Sequence, residues 1–148
     1  MNGRILAVDP GEKRIGLALS DPTATIASPL AVLKHVARAE DAAAIARFAA
    51  EREAVLIVVG QPLDAEGRET PQSYHASRLA GEIRLHTAVP VVLWDESGST
   101  KAAQAARRAM GVSRRKRSGH LDDLAATYIL QTYLDAHSSS PLAVEQVE

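Results

Sequence analysis

Apolar positions along this chain fall first into short runs with a period of two, and later into one continuous run and several helical stripes. Ile5-Leu6-Ala7-Val8 is a compact apolar run closed by Asp9, and Ile15, Leu17 and Leu19 then recur at every second residue. That order predicts a buried central strand with a second strand pairing back on it. Pro10 and Gly11 interrupt the two, because proline has no backbone donor and glycine takes turn geometries freely; a positive φ is expected at Gly11. Ile26 to Leu33 reads as a third strand, and Pro29 places it at a sheet edge, where a missing donor breaks no ladder. Asp9 therefore stands either as a site residue at the carboxyl end of a central strand, where open α/β sheets bind their ligands, or as the cap of a tight turn.

Farther on the period changes. Ile45, Phe48 and Ala49 share one face of a helix predicted from Ala39 to Arg52. Ala54 to Gly60 is almost wholly apolar, as in a parallel strand buried on both sides. Thr70 and Pro71 open a second helix as N-cap and first residue, with Ala76, Leu79, Ala80 and Ile83 as its stripe. Val89 to Trp94 is a further strand. A third helix is expected from the Ser97–Thr100 loop to Met110, closed by Gly111, and a last one from Leu121 to Ala136, on which Asp122, Ala126, Ile129 and Tyr133 share a face. This is an α/β pattern: a mixed five-stranded sheet, three antiparallel strands followed by two parallel ones reached by helical crossovers, flanked by helices. It resembles the ribonuclease H-like fold. Residues 1–136 are read as one domain, and 137–148, with Ser138-Ser139-Ser140-Pro141, as a disordered tail.

Composition narrows the chemistry. The chain has 148 residues, enough for one domain with a real core. Aromatic residues make up only 3%, which argues against a stacking platform for single-stranded bases as its main device. The formal net charge of −1 leaves nucleic-acid affinity to a local patch. No cysteine is present, so disulfides and thiolate metal sites are excluded, in keeping with a reducing cytoplasm. No apolar run approaches the roughly 18 residues of a membrane span, and the N-terminus has no signal-peptide pattern, so no membrane association is expected.

Three acidic positions are candidates for chemistry: Asp9 at the end of the first strand, Asp95-Glu96 after the last, and Asp122 at the start of the last helix. Carboxylates drawn together repel one another, and a divalent cation relieves that repulsion. Hard oxygen donors suit Mg²⁺ or Mn²⁺, and two such ions serve phosphodiester cleavage. The plainer alternatives are a solvated strand end for Asp95 and Glu96, and a helix-dipole acid for Asp122. With the last strand two places from the first, about 9.6 Å away, Glu96 has to reach inward or act through water.

Four motifs then align with a known family. They are Ala7-Val8-Asp9-Pro10-Gly11-Glu12-Lys13-Arg14-Ile15-Gly16, Val59-Gly60-Gln61-Pro62-Leu63 followed by Gly67, Asp95-Glu96-Ser97-Gly98-Ser99-Thr100, and Asp122-Asp123-Leu124-Ala125-Ala126 with Ile129, Leu130, Gln131 and Tyr133. In this order the chain resembles the YqgF (RuvX) family of pre-16S rRNA nucleases and Holliday-junction resolvase-like proteins, from Ile5 to about Leu134. The resemblance implies a metal-dependent nuclease acting on structured RNA such as precursor rRNA, or on branched DNA. It implies Asp9, Glu96 and Asp122 as catalytic and metal-binding acids, with Asp95 as a further candidate ligand and Mg²⁺ or Mn²⁺ as cofactor. Asp122 rather than Asp123 takes the family position. Ser97-Gly98 stand where the family usually has Arg-Leu; an arginine there would contact phosphate or hold the neighbouring acid, so the departure bears on substrate grip and rate and not on the acids themselves.

A basic stripe completes the reading. Lys101, Arg107 and Arg108 fall on or beside one helix face, and Arg114-Arg115-Lys116-Arg117 lie just before Asp122. With Lys13 and Arg14 they are candidate nucleic-acid contacts; a solvated charge run is the plainer alternative, and His120 reads as a helix-start surface residue. Junction resolution would call for a homodimer, whereas an RNA nuclease can act as a monomer. A metal-independent binding factor in transcription is the competing function. An actin-like ATPase is disfavoured, because the chain is too short for a second lobe.

Overall fold

The structure is a computed structural model that describes residues 3–95 and 121–138, with side chains for 124–137 in the second segment. Its elements are β1 (Arg4–Pro10), β2 (Arg14–Ser20), β3 (Ala27–Lys34), α1 (Arg38–Glu51), β4 (Ala54–Gly60), α2 (Pro71–Arg84), β5 (Val91–Trp94) and α3 (Leu121–Ser138). The five strands form one sheet in the order β3-β2-β1-β4-β5. β1, β2 and β3 are antiparallel neighbours, and β4 and β5 run parallel to β1. The mixed sheet expected from the sequence is therefore present, with β1 at its centre.

Alternation along the strands assigns the two faces. Leu6, Val8, Ile15, Leu17, Ile57 and Val59 pack under α1 and α2, whereas Ile5, Ala7, Ala18, Leu56 and Val58 pack under α3. β4 is buried along its length except at Val55, as its unbroken apolar run requires. β3 is an edge strand, as Pro29 demands. Its pairing slips between Leu17↔Ala31 and Ala18↔Pro29, so that Leu30 is skipped as a bulge beside the residue that has no donor.

Three local results differ from the sequence expectation. Pro10 does not break β1 but stays paired with Ile15, since at the last ladder position its missing donor costs nothing. Gly11 is not among the residues with positive φ, which are Ala24, Glu53, Gly3 and Gly67. Finally, α3 runs on through His137 and Ser138, because the His137 ring stacks on Tyr133 at 3.9 Å and turns toward Trp94 at 5.6 Å. Residues 139–148 lie outside the described residues, as does the helix predicted up to Met110.

Side chains supply what the helix ends lack. The N-cap of α1 is Ala37, which offers no cap; the buried Asp41 carboxylate accepts instead from the Val36 N–H at 3.0 Å and pairs with His35. α2 opens with the expected Thr70–Pro71, and Thr70 and Ser73 satisfy each other's backbone in a capping box. Between β2 and β3, the Asp21 carboxylate accepts from the N–H groups of Ile26 and Thr25 and from the Thr23 hydroxyl, and these donors hold it well below the usual carboxylate range. A depressed acid contributes stability above its unfolded pKa of about 3.9 and loses it as pH falls toward the folded value. Asp21→Asn is thus expected to melt below the parent at pH 7, with the gap closing under acid; a gap independent of pH would assign the loss to shape alone.

Candidate active site

The carboxyl ends of β1, β4 and β5 form one rim. Val8 pairs with Val59, so Asp9 and Gly60 stand side by side one residue later, about 4.8 Å apart. Gly60 in turn pairs with Trp94, which sets Trp94 two strands from Asp9, about 9.6 Å away, with Asp95 one residue beyond it. The alternation that carries Ile5 and Ala7 onto α3 assigns Asp9 to that same face. Val92 and Trp94 pack on α3 as well, so in that alternation Asp95 falls on the opposite face from Asp9.

α3 is fixed across the sheet at three points, the first at the end of the sheet away from this rim. Its Gln131 accepts from the Ala27 N–H at 3.0 Å and donates to the Thr25 carbonyl at 3.1 Å, tying it to the start of edge strand β3. At the opposite edge Trp94 Nε1 donates to Thr132 Oγ1 at 2.9 Å, and its ring meets Tyr133 edge-on at 5.2 Å. Between them Ile129 covers Gly60, where an added Cβ would stand 2.6 Å from Ile129 Cδ1. Glycine next to Asp9 is what lets the helix lie this close. Asp122 belongs to the first turn of α3, seven residues before Ile129 and about 10 Å along the axis, in register with Ala126, Ile129 and Tyr133. Its side chain, like the whole of Glu96, lies outside the described residues. Among the described residues no three acids or histidines come together as a metal cluster.

Asp9 also lines a cleft of about 500 Å³. Pro10, Gly11 and Glu12 continue its wall, and Pro62, Pro71, Gln72 and His75 form the other side. The Pro62 side is held by a folded loop. Thr70 Oγ1 donates to the Pro62 carbonyl at 2.9 Å, and Asp64 gathers the N–H groups of Glu66 and Arg68. The preceding Gln61 amide donates to Ser77 Oγ at 2.9 Å, fixing the end of β4 to α2.

Beside this cleft, Lys13 and Arg14 are exposed at the β1–β2 turn, and the structure adds Lys34 and His35 to them. The four residues line a second depression of about 590 Å³ together with Glu12 and Val32. It is closed by the His35 N–H donating to the Lys13 carbonyl at 2.9 Å. The remaining basic candidates, Lys101, Arg107, Arg108, Arg114, Arg115, Lys116 and Arg117, lie outside the described residues.

The sequence reading missed His75 and the pair Lys34-His35. A signal for His75 was present: it sits four residues before Leu79 and eight before Ile83, a polar residue in a row where the helical period asks for an apolar one. Lys34 and His35 gave no such signal, because only the β2–β3 pairing of Arg14 with Lys34 brings them to Lys13 and Arg14.

Comparison with known proteins agrees with this arrangement. A protein from Anaeromyxobacter sp. (strain Fw109-5), named "Putative pre-16S rRNA nuclease", is 42% identical over 132 residues, 89% of this chain and 96% of its own. One of the same name from Chloroflexus aurantiacus is 39% identical over 137 residues, 93% of this chain and 90% of its own. Among solved structures, RuvC of Thermus thermophilus in complex with a Holliday junction substrate superposes with a TM-score of 0.59 at 19% identity, covering 92% of this chain and 96% of that one. The Holliday junction resolvase of fowlpox virus gives 0.53 at 18% identity, covering 90% and 99%. These neighbours show the ribonuclease H-like fold of the resolvases. The family model described as "RuvX: Holliday junction resolvase" matches residues 3–136, and with the two relatives it shows that the chain belongs to the RuvX family.

Proposed function

We propose that this chain is a metal-dependent nuclease that hydrolyses phosphodiester bonds of structured RNA in the maturation of precursor 16S ribosomal RNA. The observation that carries the reading is the position of Asp9: it is the last but one residue of the central strand, at the rim where this fold concentrates its chemistry, on the α3 face by alternation and beside a cleft whose far wall is α2. The names of the relatives supply the substrate class.

Asp9 offers hard oxygen donors in a chain without a thiol, which fits Mg²⁺ or Mn²⁺. Asp9, Glu96 and Asp122 would hold the metal; Asp95, on the other face in the strand alternation, is the weaker candidate. When bound, the metal supplies Lewis acidity at the scissile phosphate. The residues of the chain do the rest. Lys13 and Arg14, joined by Lys34 and His35, hold the phosphate backbone beside the cleft, and Lys101, Arg107, Arg108 and the Arg114–Arg117 run extend that grip. α3, fixed at Thr25, Gly60 and Trp94, keeps the first turn that carries Asp122 in a constant relation to Asp9. Among the described residues no helix is long and apolar enough to cross a membrane, and the cytoplasm is the proposed location.

The family description favours a second reading, in which the substrate is a DNA junction cut by a homodimer. Labelled precursor rRNA fragments, four-way DNA junctions and linear controls, incubated with and without Mg²⁺ or Mn²⁺, separate the two. Metal-dependent cutting of RNA by a monomer supports the first, symmetric junction cutting by a dimer supports the second, and metal-independent binding without cutting sinks both. In the same assay, replacing Arg114, Arg115, Lys116 and Arg117 by alanine is expected to lower affinity. It should also flatten the salt dependence by a slope of about one per lost phosphate contact. An unchanged slope would assign the run to plain solvation.

A further inference from the structure

We propose that the depression at the β1–β2 turn binds a phosphate of the substrate backbone through His35, which Asp41 sets so that the ring takes up a proton as the phosphate arrives; this rests on the nuclease reading above, which runs the backbone past this turn. Lys13, Arg14, Lys34 and His35 line the depression with Glu12 and Val32. Backbone pairing fixes these residues to one another. Arg14 pairs with Lys34 across β2 and β3, and the His35 N–H donates to the Lys13 carbonyl at 2.9 Å. Three cations and an imidazole are thus carried on one patch by hydrogen-bonded strand ends, and the cations draw an anion to it.

Asp41 gives the imidazole a defined orientation. It belongs to α1, and its side chain is 5% exposed, against 37% for His35. Its two oxygens have separate partners: one accepts from the Val36 N–H at 3.0 Å, the other from His35 Nδ1. The first bond alone makes up for the missing cap at Ala37; the second acts on the ring. A carboxylate only accepts, so it keeps the imidazole proton on Nδ1 and leaves Nε2 a bare acceptor. The Nδ1 edge is turned inward to a buried group, so the exposed part of the ring is the opposite edge, which carries Nε2. Among the described residues the ring makes no hydrogen bond besides the one at Nδ1.

A bare nitrogen lone pair repels a phosphate oxygen. Once it has taken a proton from solvent, the same nitrogen donates to that oxygen in a charge-assisted hydrogen bond. The charged groups that face His35 are Glu12, Lys13, Arg14 and Lys34 around the depression and Asp41 behind the ring. Side chains of these types do not ordinarily change charge between about pH 5 and 8, whereas imidazole does. Phosphate binding at His35 and proton uptake there are therefore linked, and affinity falls as pH rises through that window. Asp41 is in this view a positioning residue.

The test measures binding of an RNA hairpin to the full chain by calorimetry, without divalent metal, between about pH 5 and 8. Two buffers of different ionisation enthalpy count the protons taken up. The parent is expected to lose affinity about tenfold as pH rises, the worth of one hydrogen bond to a charged group, and to take up protons on binding. His35→Gln should remove most of both effects. Asp41→Asn separates the action on the ring from the cap. The Val36 N–H still claims the amide oxygen, so the amide NH₂ faces Nδ1 and the ring proton moves to Nε2, where it donates at every pH. Affinity should then be flat with pH, and the nitrogen NMR shifts of the His35 ring, assigned from His35→Gln, should show the exchanged tautomer. Should Asp41→Asn fail to fold, His35→Gln decides alone. A pH dependence shared by the parent and His35→Gln overturns the proposal, and so does an offset between Asp41→Asn and the parent that stays constant with pH. RNA cleavage with Mn²⁺ is measured in parallel. If the parent cuts RNA while binding takes up no proton through His35, the phosphate site is overturned and the nuclease reading stands. If binding takes up a proton through His35 in a parent that does not cut, the nuclease reading falls and the phosphate site stands. Silence in both assays overturns both.

Discussion

Asp9→Asn is expected to lose cleavage by a factor of about a hundred or more while melting within a few degrees of the parent. Asparagine keeps the size and one oxygen of the side chain, so β1, its pairing with Gly16 and the contacts around it have no steric reason to change. What disappears is the charge that would hold a divalent cation at the end of the central strand. Charge stabilisation by a bound metal is worth several kcal/mol in a transition state, and each 1.4 kcal/mol or so is tenfold in rate. Substrate binding should persist, because the basic depression at Lys13, Arg14 and Lys34 is untouched. Asp123→Asn, one residue off the family position, should retain most activity and serves as the control for adding an amide near the site. Parental rates from Asp9→Asn, in a preparation free of contaminating nuclease, would falsify the metal-nuclease reading and leave the metal-independent binding factor as the better account.

The parts of this fold that were legible in the sequence are those that burial writes as a period. The apolar run of β4 announced a strand covered on both faces, and Pro29 announced an edge; both follow from backbone hydrogen bonding within a few residues. The place of Asp9 near the carboxyl end of β1 was legible for the same reason, although the strand runs one residue farther, to Pro10. What local pattern does not carry is the partner brought in by topology. Gln131 bonds Ala27 across 104 positions, and nothing near either residue signals the other. Lys34 joins Lys13 and Arg14 only through strand pairing. The continuation of α3 through His137 depends on a ring stack, since Ser138 and its neighbours have the composition of a tail. For the candidate site the sequence went further than the described residues do: of its three acids, Asp9 is placed with its side chain, Asp122 by its helix turn, and Glu96 lies outside them.

Gly11 gives the sharpest prediction about stability, for a reason the sequence did not supply. The expected positive φ is absent, and the constraint is a close approach: a Cβ built on Gly11 would stand 2.3 Å from the Arg14 carbonyl oxygen. That neighbour is backbone, paired within the β1–β2–β3 ladder, and cannot swing aside as a side-chain tip would. Gly11→Ala is therefore expected to cost about 1–3 kcal/mol, as overpacking does, or several degrees of melting temperature. Because the Gly11 N–H donates to the Asp9 carbonyl at 2.9 Å, relaxation of the turn would also move the residue proposed to hold the metal. Cleavage should then fall even at temperatures where the variant is fully folded. Gly67 provides the contrast, with φ +81° and no atom within 4 Å of an added Cβ. Asparagine tolerates the left-handed region better than alanine does, so Gly67→Asn should recover most of what Gly67→Ala loses. Gly11→Asn should melt as low as Gly11→Ala, since its Cβ meets the same oxygen. If asparagine rescued Gly11 as it rescues Gly67, backbone conformation rather than the Arg14 carbonyl would be the constraint on this turn.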